Sequence, residues 1–209
     1  MGRHSIEKLI FELDNYIKQP VRKIDKTFLM PIEGVFGISG RGTVVTGRIE
    51  QGIIKGLDEL EIIGLRDNKL TTCIGIEMFN KEMETAEAGE NVGILLRGIK
   101  KNEVSRGQVI AKPNSIKPYK SFKAKIYILS EKEGGRHKPF YSDYKPQFFI
   151  RTADITGSFI FNNDLEIAMP GDTIEVTVNL ITPIAIEKGL RFTIREGKLT
   201  IGTGIISNL

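Results

Sequence analysis

Between Arg97 and Lys138 the chain places twelve lysines and arginines against three acidic residues, a local net charge of +9. The remainder, eighteen basic against twenty-three acidic, carries −5. A basic middle on an acidic remainder suits a polyanionic partner such as nucleic acid; the plain alternative is a solvated lysine-rich surface. Residues for catalysis form no comparable cluster. The two histidines, His4 and His137, are too few for a histidine-rich metal site. His137 adjoins Gly134, Gly135 and Arg136, which suits a solvent-facing or RNA-contacting place more than catalysis. Cys73 is the single cysteine, which excludes an intramolecular disulfide and a cysteine zinc site. Flanked by Thr72 and Ile74 in a strand-like run, it reads as a buried, inert thiol. A phosphate loop, G-x-x-x-x-G-K-[ST], is absent, since Gly197-Lys198 runs into Leu199. Asp154-Ile155-Thr156-Gly157 fits D-x-x-G, a pattern too short to stand without that loop. No nucleophile–base pair is identifiable, so the chain is expected to hold no catalytic residue and no metal.

The elements that must position any RNA-binding groups are mostly strands. Residues 5–18 form the one helical pattern, with Ile6, Leu9, Ile10, Leu13 and Ile17 at helical spacing, Ser5 as N-cap and Pro20 as terminator. Residues 20–26 read as a charged linker. Beyond Lys26 come short β-prone runs separated by glycines: 43–49, 59–63, 71–78, 91–97 and 108–111. A turn-rich break at 112–118 precedes runs at 122–129, 147–151, 158–161, 173–180, 190–195 and 199–206. Without alternating helices a doubly wound sheet is unexpected. The expected fold is all-β: two antiparallel β-barrels in tandem, preceded by one short N-terminal helix and linker. The expected divisions are 1–26, 27–116 and 117–209, sizes that suit a 209-residue chain. No run of about 18 apolar residues exists, so no spanning helix and no membrane partner are expected. The N-terminus has no apolar signal-peptide core.

Gly40-Arg41-Gly42-Thr43-Val44-Val45-Thr46-Gly47-Arg48 resembles the second domain of translational GTPases. Glu77-Met78-Phe79, Ala88-Gly89-Glu90-Asn91-Val92-Gly93, Leu95-Leu96-Arg97-Gly98 and Arg106-Gly107-Gln108-Val109 resemble elongation factor Tu in order and spacing. Gly134-Gly135-Arg136-His137, Pro146-Gln147-Phe148-Phe149-Ile150-Arg151-Thr152, Met169-Pro170-Gly171-Asp172 and the run from Leu190 to Gly197 resemble the third domain of that family. The leading helix resembles the last helix of the family's GTPase domain. The resemblance implies a surface that grips the acceptor end and T-stem of aminoacyl-tRNA for GTP-dependent delivery to the ribosomal A site. It implies as partners the ribosome, the nucleotide-exchange factor Ts and the family's own GTPase domain, which would hold GTP and magnesium in the intact protein. A related factor for selenocysteine, or a non-catalytic protein-interaction module, is the alternative. The implied compartment is the cytoplasm, or a plastid stroma or mitochondrial matrix, since the wealth of Ile, Lys and Asn suits an AT-rich genome.

By the same resemblance, Glu33, Phe36, Thr46 and Asn91 match the pocket for the aminoacyl group and terminal adenosine. Glu33 offers an acceptor to the ribose, Phe36 an apolar ring, and Asn91 both donor and acceptor to an ester and amine. Arg106 matches an arginine near the tRNA 5′ phosphate. Arg136, Gln147, Thr156 and Gly197 match positions meeting the T-stem backbone, where A-form RNA is read by shape through phosphates and 2′-hydroxyls. Four positions depart from the family. Gly34 stands where bacterial members commonly carry an acid, Gln51 and Asn80 where a basic residue is usual, and Lys198 where a glycine is usual.

Overall fold

Short β-branched runs punctuated by glycines dominate the chain after Lys26, and among the described residues they fold as eighteen strands. The computed structural model describes residues 2–18, 20–161 and 167–209. Met1 and Gln19, within the expected leading segment, lie outside the described residues.

The helix α1 spans Arg3–Tyr16, two residues earlier at each end than the apolar spacing suggests. Ser5 is not its N-cap: its N–H already donates to the carbonyl of Gly2, at 3.0 Å, within the first turn. Gly2 holds the cap position with no side-chain bond, and the helix stops at Ile17, ahead of Pro20. None of its residues is buried, so the stripe of Ile6, Leu9, Ile10 and Leu13 faces solvent. No helix is long and apolar enough to cross a membrane among the described residues.

The first sheet contains β1 (Leu29–Pro31), β2 (Gly34–Ile38), β3 (Gly42–Arg48), β5 (Glu59–Gly64), β6 (Arg66–Met78), β7 (Lys81–Met83), β9 (Asn91–Leu96) and β10 (Val109–Ala111). A separate pair joins β4 (Ile53–Lys55) and β8 (Thr85–Glu87). The main path runs β1-β10-β5-β6-β9-β3-β2, all antiparallel, with β7 paired to β6. This is the first of the two expected barrels, built as a half-barrel sheet whose two end strands are not paired to each other. Its two end strands, β1 and β2, are consecutive and separated by Ile32 and Glu33, so the chain itself turns the corner that a ladder would otherwise close. The Glu33 N–H donates to the Thr46 carbonyl at 2.8 Å across that corner.

The second unit is a closed barrel of six strands: β11 (Pro118–Ile128), β13 (Gln147–Ile150), β14 (Ala153–Phe161), β16 (Thr173–Ala185), β17 (Arg191–Glu196) and β18 (Leu199–Asn208). The pair β12 (Phe140–Tyr141) and β15 (Ile167–Ala168) caps it. Alternation is plain on β11, where Phe122, Ala124, Ile126 and Ile128 point in while Ser121, Lys123 and Lys125 point out. Phe122, Phe148, Phe159 and Phe192 fill the interior with edge-on and tilted ring contacts.

The two sheets meet over a small apolar cluster of Leu29, Ile63, Val109, Ala111 and Ala185. Arg151 locks the junction. Its side chain is 5% exposed, and Nε donates to Glu50 at 2.7 Å while Nη1 donates to the Ala185 carbonyl at 2.8 Å. Glu187 lies 3.3 Å from Nη2. Gly107, at φ +96, lets the first sheet approach the second: a Cβ there would lie 3.1 Å from the Cα of Ala153.

Candidate nucleic-acid interface

Strand register brings the four residues matched to the aminoacyl end together. Gly34 pairs with Thr46, Phe36 with Val44, Thr46 with Gly93, and Arg48 with Asn91. Glu33, Thr46 and Asn91 therefore line one depression of ≈ 260 Å³ with Glu77 and Phe79. Phe36 and Thr46 line an adjoining groove of ≈ 380 Å³ that shares Glu77 and Phe79. The two form one continuous trough on the outer face of the first sheet. Its floor is low because Gly75 and Gly93 contribute no side chains; a Cβ on Gly93 would come within 3.2 Å of Val44 Cγ1. Ile38, Val44 and Leu95 make the groove apolar, while Arg41, Glu77 and Asn80 supply polar groups around it. A flat apolar ring with polar edges fits such a surface.

Gly34 explains the pose of Phe36. A Cβ at residue 34 would lie 2.7 Å from Thr46 Oγ1 and 2.9 Å from Phe36 Cε2, so the ring folds back into space that any side chain would claim. At the opposite rim Phe79 and Asn80 form the two-residue turn between β6 and β7, at φ 51 and 61. That turn holds a bulky aromatic in the left-handed region with 85% of its surface exposed. Phe79 thus combines a left-handed backbone with an exposed ring at the rim of the trough. In the sequence Phe79 stands only as the last residue of the Glu77-Met78-Phe79 match, with no chemistry of its own. The available signal was an aromatic at the tip of a two-residue hairpin, where glycine or asparagine is ordinarily found.

The second set gathers at one end of the closed barrel. Gln147, on β13, sits between Thr156 of β14 and Arg195 of β17. Gly197, at φ 57, opens the turn from β17 to β18. Arg136 reaches this end from the preceding loop, its Nη1 3.2 Å from Glu196 Oε2. Its guanidinium lies 5.2 Å from the Phe140 ring and 4.9 Å from the Tyr144 ring. Burial pushes the Tyr144 phenol up to about 12, with the nearby Arg136 charge opposing the shift. Arg195 lies over Phe149 at 5.1 Å and donates to the Lys198 carbonyl at 3.0 Å. Beside Thr156, a groove of ≈ 290 Å³ is lined by Lys120, Lys145 and Asn179. Neither lysine was singled out from the sequence, where both were lost among many others.

Arg106 stands apart from both sets. It is exposed at the junction, with Nε 3.5 Å from the Thr152 carbonyl. Thr152 is in the turn at the far end of the β13–β14 hairpin, about 10 Å along the strand from Gln147. Cys73 is fully buried, its thiol pushed up by burial, and Sγ–H points to the Gly75 carbonyl at 3.6 Å. Asp154 to Gly157 run inside β14, with Ile155 buried in the barrel.

The family model of elongation factor Tu domain 2 matches residues 42–111. That of the elongation factor Tu C-terminal domain matches residues 115–209. The chain belongs to the elongation factor Tu family. It carries two domains of a translation elongation factor, one on each side of the Arg151 junction. Most of the trough lies within the matched residues 42–111, with Glu33, Phe36, Ile38 and Arg41 just ahead of them, and the Gln147 cluster lies within the matched C-terminal domain. The polar residues that surround them are thus distributed over both matched domains.

Proposed function

We propose that this chain binds the acceptor end and T-stem of aminoacyl-tRNA, as the barrel portion of a factor that delivers it to the ribosomal A site. The observation that carries this reading is the convergence of Glu33, Phe36, Thr46 and Asn91 on one trough. The terminal adenine lies on the apolar floor against Phe36 and Phe79. The Glu33 carboxylate accepts a hydrogen bond from the terminal ribose. Asn91 serves the ester and free amine of the aminoacyl group, accepting from one and donating to the other. On the second barrel, Gln147, Thr156 and the Gly197 turn meet 2′-hydroxyls and phosphates of the T-stem, and Lys120 and Lys145 add charge. Arg106 serves the 5′ phosphate. Contacts of this kind read A-form shape, which suits a carrier of many tRNAs.

The residues of this chain do not fit a guanine nucleotide. Its one D-x-x-G lies within a barrel strand, and the phosphate loop is missing. GTP and magnesium therefore belong to a separate GTPase domain of the intact factor, which also engages the exchange factor Ts and the ribosome. The solvent-facing apolar stripe of α1 supports such a docked domain. That domain supplies a further wall of the aminoacyl pocket, so the barrels by themselves bind weakly. Filter binding of aminoacyl-tRNA at two salt concentrations tests the reading. Affinity should fall steeply with salt, and salt-independent affinity contradicts it.

A further inference from the structure

On the outside of the closed barrel, β11 carries Ser121, Lys123, Lys125 and Tyr127, alternating with buried Phe122, Ala124, Ile126 and Ile128. Lysine is depleted in strands, and where it occurs it commonly guards an unpaired edge. β11 has no such edge, because β16 pairs with one side of it and β18 with the other. Among the described residues, neither lysine has an ion-pair partner, and nor has Arg191 of β17. Strand register sets these groups in order. Lys125 lies beside Ile205 of β18, and Ile205 beside Arg191, so two cations straddle one exposed apolar side chain. In the next row Tyr127 lies beside Thr203.

A groove of ≈ 310 Å³ is lined by Lys125, Tyr127, Thr173, Arg191, Thr203 and Ile205. Thr203 keeps its floor low, since its hydroxyl is turned down to donate to the Phe192 carbonyl at 3.1 Å. The Tyr127 hydroxyl donates to Glu133 at 2.7 Å, which fixes the ring as a wall. Glu175, beside Lys125 on β16, is the acid in these rows, so three cations outweigh it. The barrel closes in the order β11-β16-β14-β13-β17-β18, which puts β11 three strands from β13 in either direction. The lysine face is therefore across the barrel from Gln147, and an RNA on the Gln147 edge leaves it open.

We propose that this face binds an extended acidic peptide segment of a partner protein, with carboxylates at residues i and i+2 and an apolar side chain at i+4. Carboxylates so placed are about 6.8 Å apart, the spacing of Lys123 and Lys125 along β11. The first meets Lys123, the second is shared by the long side chains of Lys125 and Arg191 above Ile205, and the apolar group enters the groove against Tyr127. RNA fits less well, because a run of phosphates would lie on Ile205 and beside Glu175. This face and the RNA edge are independent, and either can be occupied without the other.

The test is a fluorescence-anisotropy titration of the full chain against the labelled peptide Gly-Ser-Glu-Thr-Glu-Thr-Leu-Ser-Gly. A Kd of about 0.1 mM is expected at low salt, weakening as salt screens the exposed charges. Lys123→Gln, Lys125→Gln and Arg191→Gln, all at exposed strand positions, should each weaken binding about threefold, the scale of one exposed ion pair. All three together should weaken it about thirtyfold. Serine in place of the peptide's leucine should cost about fivefold, the scale of partly burying one apolar side chain. A peptide of the same composition with its two glutamates adjacent should bind at least about fivefold more weakly, since neighbouring side chains of an extended segment point to opposite sides. A saturating RNA hairpin of acceptor and T-stem sequence should leave the peptide's affinity unchanged. Equal binding of the two peptides, displacement of the peptide by the hairpin, or no binding up to about 2 mM overturns the assignment.

Discussion

The trough of the first sheet and the edge of the second barrel are built on opposite plans. The trough is a surface from which side chains have been removed: Gly75 and Gly93 lower its floor, Gly34 leaves room for the Phe36 ring, and Phe36 and Phe79 stand exposed at its rims. The barrel edge is a surface to which supports have been added, with Arg136 and Arg195 packed on Phe140, Tyr144 and Phe149. Space selects a particular group by shape, whereas a supported edge holds fixed dipoles and charges against a repeating backbone. A shared end such as an aminoacyl-adenosine calls for the first plan, and a double-helical stem for the second.

The comparison depends on both surfaces being held in one frame, so its hardest break is at the junction. Arg151→Met leaves Glu50 and Glu187 facing each other without their cation. Stability should drop by about 3 kcal/mol, the usual scale for breaking a buried ion pair, as read by urea unfolding. The single unfolding transition should also separate into two, one for each sheet.

Asn91→Ala sharpens the contrast more locally. Affinity for aminoacyl-tRNA should fall about tenfold while affinity for deacylated tRNA is unchanged, since the lost bonds serve the ester and amine. A parallel loss for both RNAs, measured by competition binding, contradicts a role at the aminoacyl group.

Tyr144 offers a pH test of the supported edge. Its folded value lies above its ordinary value of 10.0, at about 12, so the neutral phenol is the form that the fold favours. The stability it contributes is complete below the unfolded value and is lost as pH rises through the folded one. A base titration followed by tyrosinate absorbance should show a late phase near pH 12 that coincides with loss of barrel structure. Tyr144→Phe should remove that phase.

The smallest effect is expected at the rim of the trough. Phe79→Gly should stabilise the protein by about 0.5 to 1 kcal/mol, because glycine accepts the left-handed turn without strain. The same change should weaken binding of the acceptor end. A variant that binds normally would reduce Phe79 to an exposed turn residue.

Alternation and glycine punctuation made most of the long strands legible in the sequence, as in Phe122 to Ile128 and Thr173 to Leu180. The strands that escaped are two to five residues long, among them Leu29–Pro31 and Gly34–Ile38, too short for a period of two to register. Their position matters, because β1 and β2 turn the corner of the first sheet and place Glu33 and Phe36. The stretch before Pro20 announced a helix but misplaced its start, since Ser5 is a better cap by type than Gly2 and yet lies inside the first turn. Matched motifs identified the residues around the trough, but its glycine floor and the folded-back Phe36 ring depend on strand register. The surroundings of Arg136 were likewise invisible, because nothing in its neighbours Gly135 and His137 signals that Phe140, Tyr144 and Glu196 converge on it.

The central claim is that one RNA meets two surfaces that read different parts of it. Backbone amide shifts should be mapped with two hairpins of identical acceptor and T-stem sequence, one aminoacylated at its 3′ end and one not. Both should perturb Gln147, Thr156, Gly197 and Glu33, while Asn91 should respond fully only to the aminoacylated hairpin. Identical perturbation of Asn91 by both hairpins, or perturbation of neither surface, would contradict the account.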